Sequence, residues 1–379
     1  MIIDSHTHIF PNLEGASSGE AGSPSLLYLQ KFVAESPAQA VRRAKDNAII
    51  EDRNQWALWD PKDPSPNGAY DVNFRIGDFG RLVWTKDGSD YFMHLYGANL
   101  QKIVAPPEYL LAQMDYAGVG KAVLQNAWIY GQMNDYFADA IKKYPDRFVG
   151  SVQVSEAFAD SDVQIRELRR GVLDLGLKAL YYANARFFEN NYSYYFDDPK
   201  YYPFWNEVRS LGIPVYWDLT ALHEPGQPEG TPYDRYIHQM RRFENWRRHY
   251  PEIQCILVHG VPLRYIRNGD ELLDIPEELW DLWKQPNVNL ELLFPMQVSH
   301  PTAGGSVWDY PYTEVHPVIK QLYAKLGPEK VLWGSDLPNM ERNCTYKQGR
   351  SYLEQHCPFL SESDKQLLFS GNVSRLLKL

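Results

Sequence analysis

Beyond residue 106 the chain alternates between amphipathic stretches of helical period and short, nearly unbroken apolar runs. Helices are predicted over 108–118, 134–144, 162–175, 201–211, 234–250, 279–284 and 317–326, the first of them stopping at Gly118. Each is followed by an apolar run that reads as a strand: 121–126, 147–154, 177–182, 213–218, 253–259, 288–293 and 331–336. A last helix, 361–379, opens on Ser361 and Asp364 in a Ser-x-x-Asp capping pattern. At the start of the chain, Ile2 and Ile3 running into Asp4 supply one more strand. Eight strands with helices between them imply parallel pairing through crossover connections. Eight such units favour a closed α/β barrel, (β/α)8. An open doubly wound sheet competes, but no Gly-x-Gly-x-x-Gly turn follows the first strand.

Between 11 and 105 this regularity is lost. Gly, Ser and Pro crowd 15–24 and 60–68, a helix is predicted around 26–49, and a hairpin over 81–95 turns at Asp87-Gly88. The segment has too few apolar residues in register to build its own core. It is expected to be one long insertion after the first strand, a lid or pocket wall within a single domain spanning 1–379.

Composition narrows the function classes. With 379 residues, 44% of them apolar, the chain can bury a large core. Its 48 acidic and 38 basic residues give a net charge of −10, which argues against nucleic acid and anionic membranes as partners. No apolar run approaches about 20 residues, so no membrane span is expected, and no signal peptide either. Cys255, Cys344 and Cys357 form no CxxC pair and read as reduced thiols of a cytoplasmic protein. The 11 Trp, 26 Tyr and 16 Phe suit both a core and a pocket for a planar small molecule.

Candidate chemistry collects at the predicted strand ends, where barrel active sites lie. The first strand carries His6 and His8, one residue apart and so on one face, which makes half of a metal site. The fifth strand ends in Asp218, the sixth in His259 and the eighth in Asp336. Buried His and Asp are costly unless paired or metal-bound. Arg186, past the fourth strand, and Arg264 or Arg267, past the sixth, are candidates to clamp a substrate carboxylate. Glu291, flanked by Leu290 and Leu292, is a candidate for the barrel interior, and His94 for a residue reaching over the site. Trp217, Tyr216 and Phe294 read as packing residues.

Several motifs resemble one known family. They are Ile3-Asp4-Ser5-His6-Thr7-His8, the run 114–124, Tyr144-Pro145-Asp146-Arg147-Phe148, Val258-His259-Gly260, the run 331–338 through Gly334-Ser335-Asp336, and Gly371-Asn372-Val373. Together they are similar to the amidohydrolase superfamily, in its aminocarboxymuconate-semialdehyde-decarboxylase-like branch. The resemblance implies a TIM barrel holding one divalent metal, zinc with manganese as the alternative. It implies His6, His8 and Asp336 as ligands, Asp336 also taking a proton from metal-bound water, and His259 as the acid/base residue. The family's strand-five histidine is replaced here by Asp218, which is expected to ligate in its place, His223 being the alternative.

These residues suit two reactions equally. The first reading is a metal-dependent hydrolase of a small, carboxylated, cyclic or aromatic-derived compound. The alternative is a non-oxidative decarboxylase of an aromatic or muconate-type acid, using the same groups. A third reading, prompted by the missing histidine, is a barrel with a decayed metal site acting as a binding scaffold. A homodimer is expected by analogy with the family.

Overall fold

Ile3–Thr7 begins a sheet of eight parallel strands that runs through Lys121–Leu124, Phe148–Val152, Ala179–Ala183, Val215–Asp218, Cys255–Leu257, Val288–Leu292 and Val331–Trp333, each beside the next. The computed structural model describes residues 1–13, 25–35, 39–219, 223–224, 231–260, 267–268, 271–272, 276–293 and 310–379. The last strand returns to the first: Asp336 N donates to His6 O at 2.9 Å, and His8 N to Leu337 O at 2.8 Å. The result is the α/β barrel that the alternation predicts, not an open sheet.

The strands are buried on both faces, which is why they read as unbroken apolar runs. Alternate residues divide the two cores. Val123, Val149, Ala179, Tyr181, Tyr216, Ile256 and Leu332 fill the barrel interior, closed from beneath by Val373, Leu376 and Leu377 of the terminal helix. Leu124, Val152, Tyr182, Trp217, Leu257 and Trp333 face outward into the layer of helices. Ser361 caps the final helical segment as its pattern predicts, accepting from Asp364 N at 3.2 Å while its own N–H donates to Asp364 at 2.9 Å.

Several predicted strands are shorter than expected, and two of them end before a candidate site residue. The sixth stops at Leu257 and the eighth at Trp333, so His259 and Asp336 stand in turns beyond them, both left-handed, with φ 62° and 60°. Side chains other than glycine take that conformation at a cost, and it tends to be kept where function requires it.

The insertion departs from expectation at one helix. Leu26–Glu35 is helical, but Arg42–Arg43 already pairs with Tyr91 and Phe92, so the helix does not run to 49. Arg75–Ile76, Arg81–Lys86 and Ser89–His94 complete a four-stranded antiparallel sheet. Its hairpin turns at Asp87 and Gly88, both at positive φ, as an Asp-Gly step predicts. Trp56, Trp84 and Leu29 join the same apolar cluster as the barrel's outer face. No helix among the described residues is long and apolar enough to cross a membrane.

Candidate metal centre

A β-bulge aims the two histidines. Asp4 pairs with Ala122 and Thr7 with Leu124, so three residues of the first strand advance against two of its neighbour. Ile3 lies in the barrel interior. Strict alternation from Ile3 would put Ser5 and Thr7 inside and turn His6 and His8 outward. The extra residue reverses the phase, and both imidazoles enter the barrel mouth.

There His6 Nε2 and His8 Nε2 lie 3.1 Å apart, with Asp336 Oδ1 at 3.1 Å from His8 and 3.8 Å from His6. All three residues are buried, and their ligand atoms lie within 4.8 Å of one another. The opposite ring nitrogens are spoken for. His8 Nδ1 faces the Gln125 carbonyl at 2.9 Å, which can only accept, so that nitrogen carries the proton. His6 Nδ1 meets Glu291 Oε2 at 2.8 Å. Glu291 Oε1 accepts from Ser5 Oγ and from Gln125 Nε2, both at 2.9 Å, a donor set that suits an ionised carboxylate. Both Nε2 lone pairs therefore point at each other and at a carboxylate. Only a positive centre between them makes that arrangement favourable. The donor set fits a divalent cation held by two imidazoles and one carboxylate oxygen, with the outer nitrogens oriented by a carboxylate and a carbonyl.

The electrostatics agree. Burial disfavours charge on His6, yet the Glu291 carboxylate, with Asp336 and Asp4 behind it, lifts its pKa to about 9. His8 is lowered, burial and the neighbouring His6 charge outweighing Asp336. Asp336 is buried, which would raise it, but His8, His6 and His259 hold it well below the usual carboxylate range. Asn339 Nδ2 donates to its Oδ1 at 2.7 Å. A proton on His6 and a metal ion answer the same demand for positive charge.

The fourth expected ligand sits apart. Asp218 Oδ2 accepts from Tyr181 OH at 2.7 Å, and Oδ1 faces His259 Nδ1 at 3.5 Å. Among the described residues the group close enough to share one ion is His6, His8 and Asp336, without Asp218. His223 does not join it either; its N–H donates to Glu35 and its carbonyl accepts from Tyr192. Burial would raise Asp218, but His259, Tyr181 and His6 overcome that and hold it below its ordinary value. The His259 ring stacks on His6 with centroids 5.5 Å apart, and about a quarter of its side chain is exposed.

Arg186 follows the fourth strand on the turn Asn184–Asn190, buried and paired with Glu189. It shares its surroundings with Tyr28 of the insertion helix, whose phenol also feels Asp218 and Glu156. Arg264 and Phe294 lie outside the described residues, and of Arg267 only the backbone is described. His94 packs edge-on against Phe92 and is not one of the clustered ligand residues. Tyr216 lies in the interior and Trp217 in the outer aromatic layer. Sequence reasoning missed Gln125, Asn339 and Tyr181. Gln125 carried one usable signal: a polar residue directly after the apolar run 121–124, at a strand end.

Comparison with known proteins follows the same lines. The amidohydrolase family model matches residues 3–379. A gamma-resorcylate decarboxylase from Rhodococcus jostii (strain RHA1) is 36% identical over 276 residues, covering 65% of this chain and 75% of that protein. Curated relatives of this kind match over between about a quarter and three quarters of their own length. Among solved structures, a dihydroxybenzoic acid decarboxylase from Polaromonas sp. JS666, with bound manganese and 2-nitroresorcinol, superposes at a TM-score of 0.50 with 18% identity, over 73% of this chain and 87% of that one. A candidate 2-pyrone-4,6-dicarboxylic acid hydrolase from Pseudomonas putida gives 0.52 with 16% identity, over 73% and 88%. At such identities the structures establish a shared barrel, common to both chemistries. The family match spans nearly every residue, and the chain belongs to the amidohydrolase family.

Proposed function

We propose that the protein is a metal-dependent, non-oxidative decarboxylase of a small aromatic carboxylic acid of the resorcylate kind. The observation that carries this reading is the 36% identity to a gamma-resorcylate decarboxylase over 276 residues. It favours decarboxylation over hydrolysis, two reactions between which the motifs alone do not choose. The scaffold reading loses its motive, because His6, His8 and Asp336 form a donor group without a histidine at 218.

His6, His8 and Asp336 would hold one divalent ion, and zinc and manganese both suit two imidazoles and a carboxylate. Such an ion would supply a fixed positive charge against which an anionic substrate could be held. The chain's residues do the rest. His259 stands at the mouth beside His6 and gives a proton to the ring carbon that bears the carboxylate. The bond from that carbon to the carboxylate then breaks, its electron pair returns to the ring, and carbon dioxide leaves. The bonds to Asp336 fall on Oδ1, which leaves Oδ2 able to take up or pass on a proton. Arg186 is the candidate partner for a second anionic or phenolic group on the substrate, and the insertion helix with Tyr28 walls that side.

The test is direct. Metal-loaded protein incubated with gamma-resorcylate and related hydroxybenzoates should release carbon dioxide and form the decarboxylated phenol, with no oxygen from labelled water in the product. Label incorporation from a lactone or amide substrate, with no carbon dioxide from any acid, would restore the hydrolase reading.

A further inference from the structure

We propose that Asp218 is a positioning residue for His259, fixing the ring that moves the proton, and that it lies outside the cation's ligand sphere. The proposal rests on the decarboxylase reading for the meaning of the proton, and on geometry for the rest.

Asp218 is anchored from two sides. It ends the fifth strand in register with Ala183 of the fourth, and Tyr181, two residues earlier on that fourth strand, points into the same interior. The Tyr181 hydroxyl donates to Oδ2 at 2.7 Å from a ring packed within the barrel core, so it fixes the carboxylate plane. Oδ1 has no hydrogen bond of normal geometry among the described residues, and the group it faces is His259 Nδ1 at 3.5 Å. A buried carboxylate oxygen with one neighbour of this kind is aimed at that neighbour.

His259 is held just as firmly. Its backbone is left-handed at φ 62°, and Gly260 follows at φ 61° with a backbone so close to Glu291 that an added Cβ would stand 2.0 Å from that residue's carbonyl oxygen. One face of the imidazole lies on His6 at an interplanar angle of 28°. With the turn locked, a ring face covered and Nδ1 turned to Asp218, Nε2 is, among the described residues, the nitrogen left for substrate. A carboxylate at Nδ1 keeps the ring hydrogen on that nitrogen and so fixes the tautomer and the orientation of the ring. An aspartate where the family has a ligating histidine thus serves the neighbouring strand's residue.

The test uses the full chain, zinc-loaded, with Asp218→Asn as the near-isosteric variant. Its amide presents hydrogens toward His259 and reverses the preferred ring tautomer. Bound zinc per chain should stay at the parent value by elemental analysis. On the aromatic acid, kcat should fall by about 10²-fold, with KM within about twofold. In protein labelled with 15N at histidine, the His259 signals should show the ring proton moved from Nδ1 to Nε2. Tyr181→Phe keeps the charge and frees the carboxylate; kcat should drop by about fivefold with zinc retained. Loss of zinc in Asp218→Asn would make Asp218 a ligand and overturn the proposal. So would an unmoved His259 tautomer, or an unchanged kcat. A parent chain that decarboxylates nothing would sink the decarboxylase reading alone, because the zinc content and the 15N signals still decide the part played by Asp218.

Discussion

Glu291 grips the outer nitrogen of His6 at 2.8 Å across 285 positions of sequence, and its other oxygen takes two further donors. It sets the direction of the His6 lone pair without touching the metal position itself. Glu291→Gln should therefore keep the fold and weaken divalent-metal affinity by about 10- to 100-fold, measured by competition with a chromophoric chelator. His6→Ala removes a donor outright, so that variant should retain no metal after dialysis and no turnover. Equal affinity in Glu291→Gln and the parent would show that the carboxylate does not orient the ligand.

Gly260 is the tightest backbone approach near the site. A methyl group there meets the Glu291 carbonyl oxygen at 2.0 Å, at a backbone angle that disfavours any side chain. Gly260→Ala should cost about 1–3 kcal/mol in urea unfolding and displace His259 and Glu291 together. Activity should fall further than in a variant of equal stability loss placed elsewhere. Parent-like kinetics would contradict the locked turn.

Glu224 is buried beside Tyr195 and Gln239, and its pKa stands near 7 instead of 4.5. Burial is the main cause, outweighing the hydrogen bonds and Arg242 that favour the charge. The sign follows from proton counting. Unfolded chain loses this proton above about 4.5 while the folded chain keeps it to about 7, so stability from this group is whole below 4.5 and declines as pH rises through 7. The difference amounts to at most about 3 kcal/mol. The stability of Glu224→Gln relative to the parent should increase between pH 4.5 and pH 7 in paired thermal melts. A constant difference across that range would count against a buried, proton-holding carboxyl.

Trp217 supports the site from behind. Its ring is fully buried against Tyr182, Phe196, Trp205, Phe243 and Trp246, on the outer side of the strand that ends in Asp218. Trp217→Ala should destabilise by about 3–5 kcal/mol through lost burial and the cavity left behind. Asp218→Asn, one residue on, should leave the urea midpoint nearly unmoved. The contrast separates packing from chemistry on one short strand.

The barrel was legible because its strands are buried on both faces and its helices carry a clear period; eight such units leave little choice of architecture. His6, His8, Asp218, His259 and Asp336 could be picked out together for a similar reason, since each follows an apolar run at the end where barrel sites gather; it was the family resemblance that marked His6, His8 and Asp336 among them as ligands. What alternation could not show is that Ile3 and His6 share the interior. That depends on a bulge, and pairing register is written in the neighbouring strand. Glu291 was visible as a polar break in a strand, but its hold on His6 was not. Asp218 was read through its strand position alone, without the phenol of Tyr181 that claims one of its oxygens. The helix expected over 26–49 ended early because Arg42–Arg43 found a sheet partner fifty residues ahead, a contact that local propensity does not carry.

The seam where Asp336 and Leu337 bond to His6 and His8 has a consequence for biogenesis. His6 meets its carboxylate partner Glu291 only 285 positions later, and His8 meets Asp336 only 328 positions later. A chain stalled before the eighth strand would own both histidines without the Asp336 carboxylate that faces their inner nitrogens. On the metal reading proposed above, capture of the ion would wait for that closure, and a chain carrying it would have finished its ring.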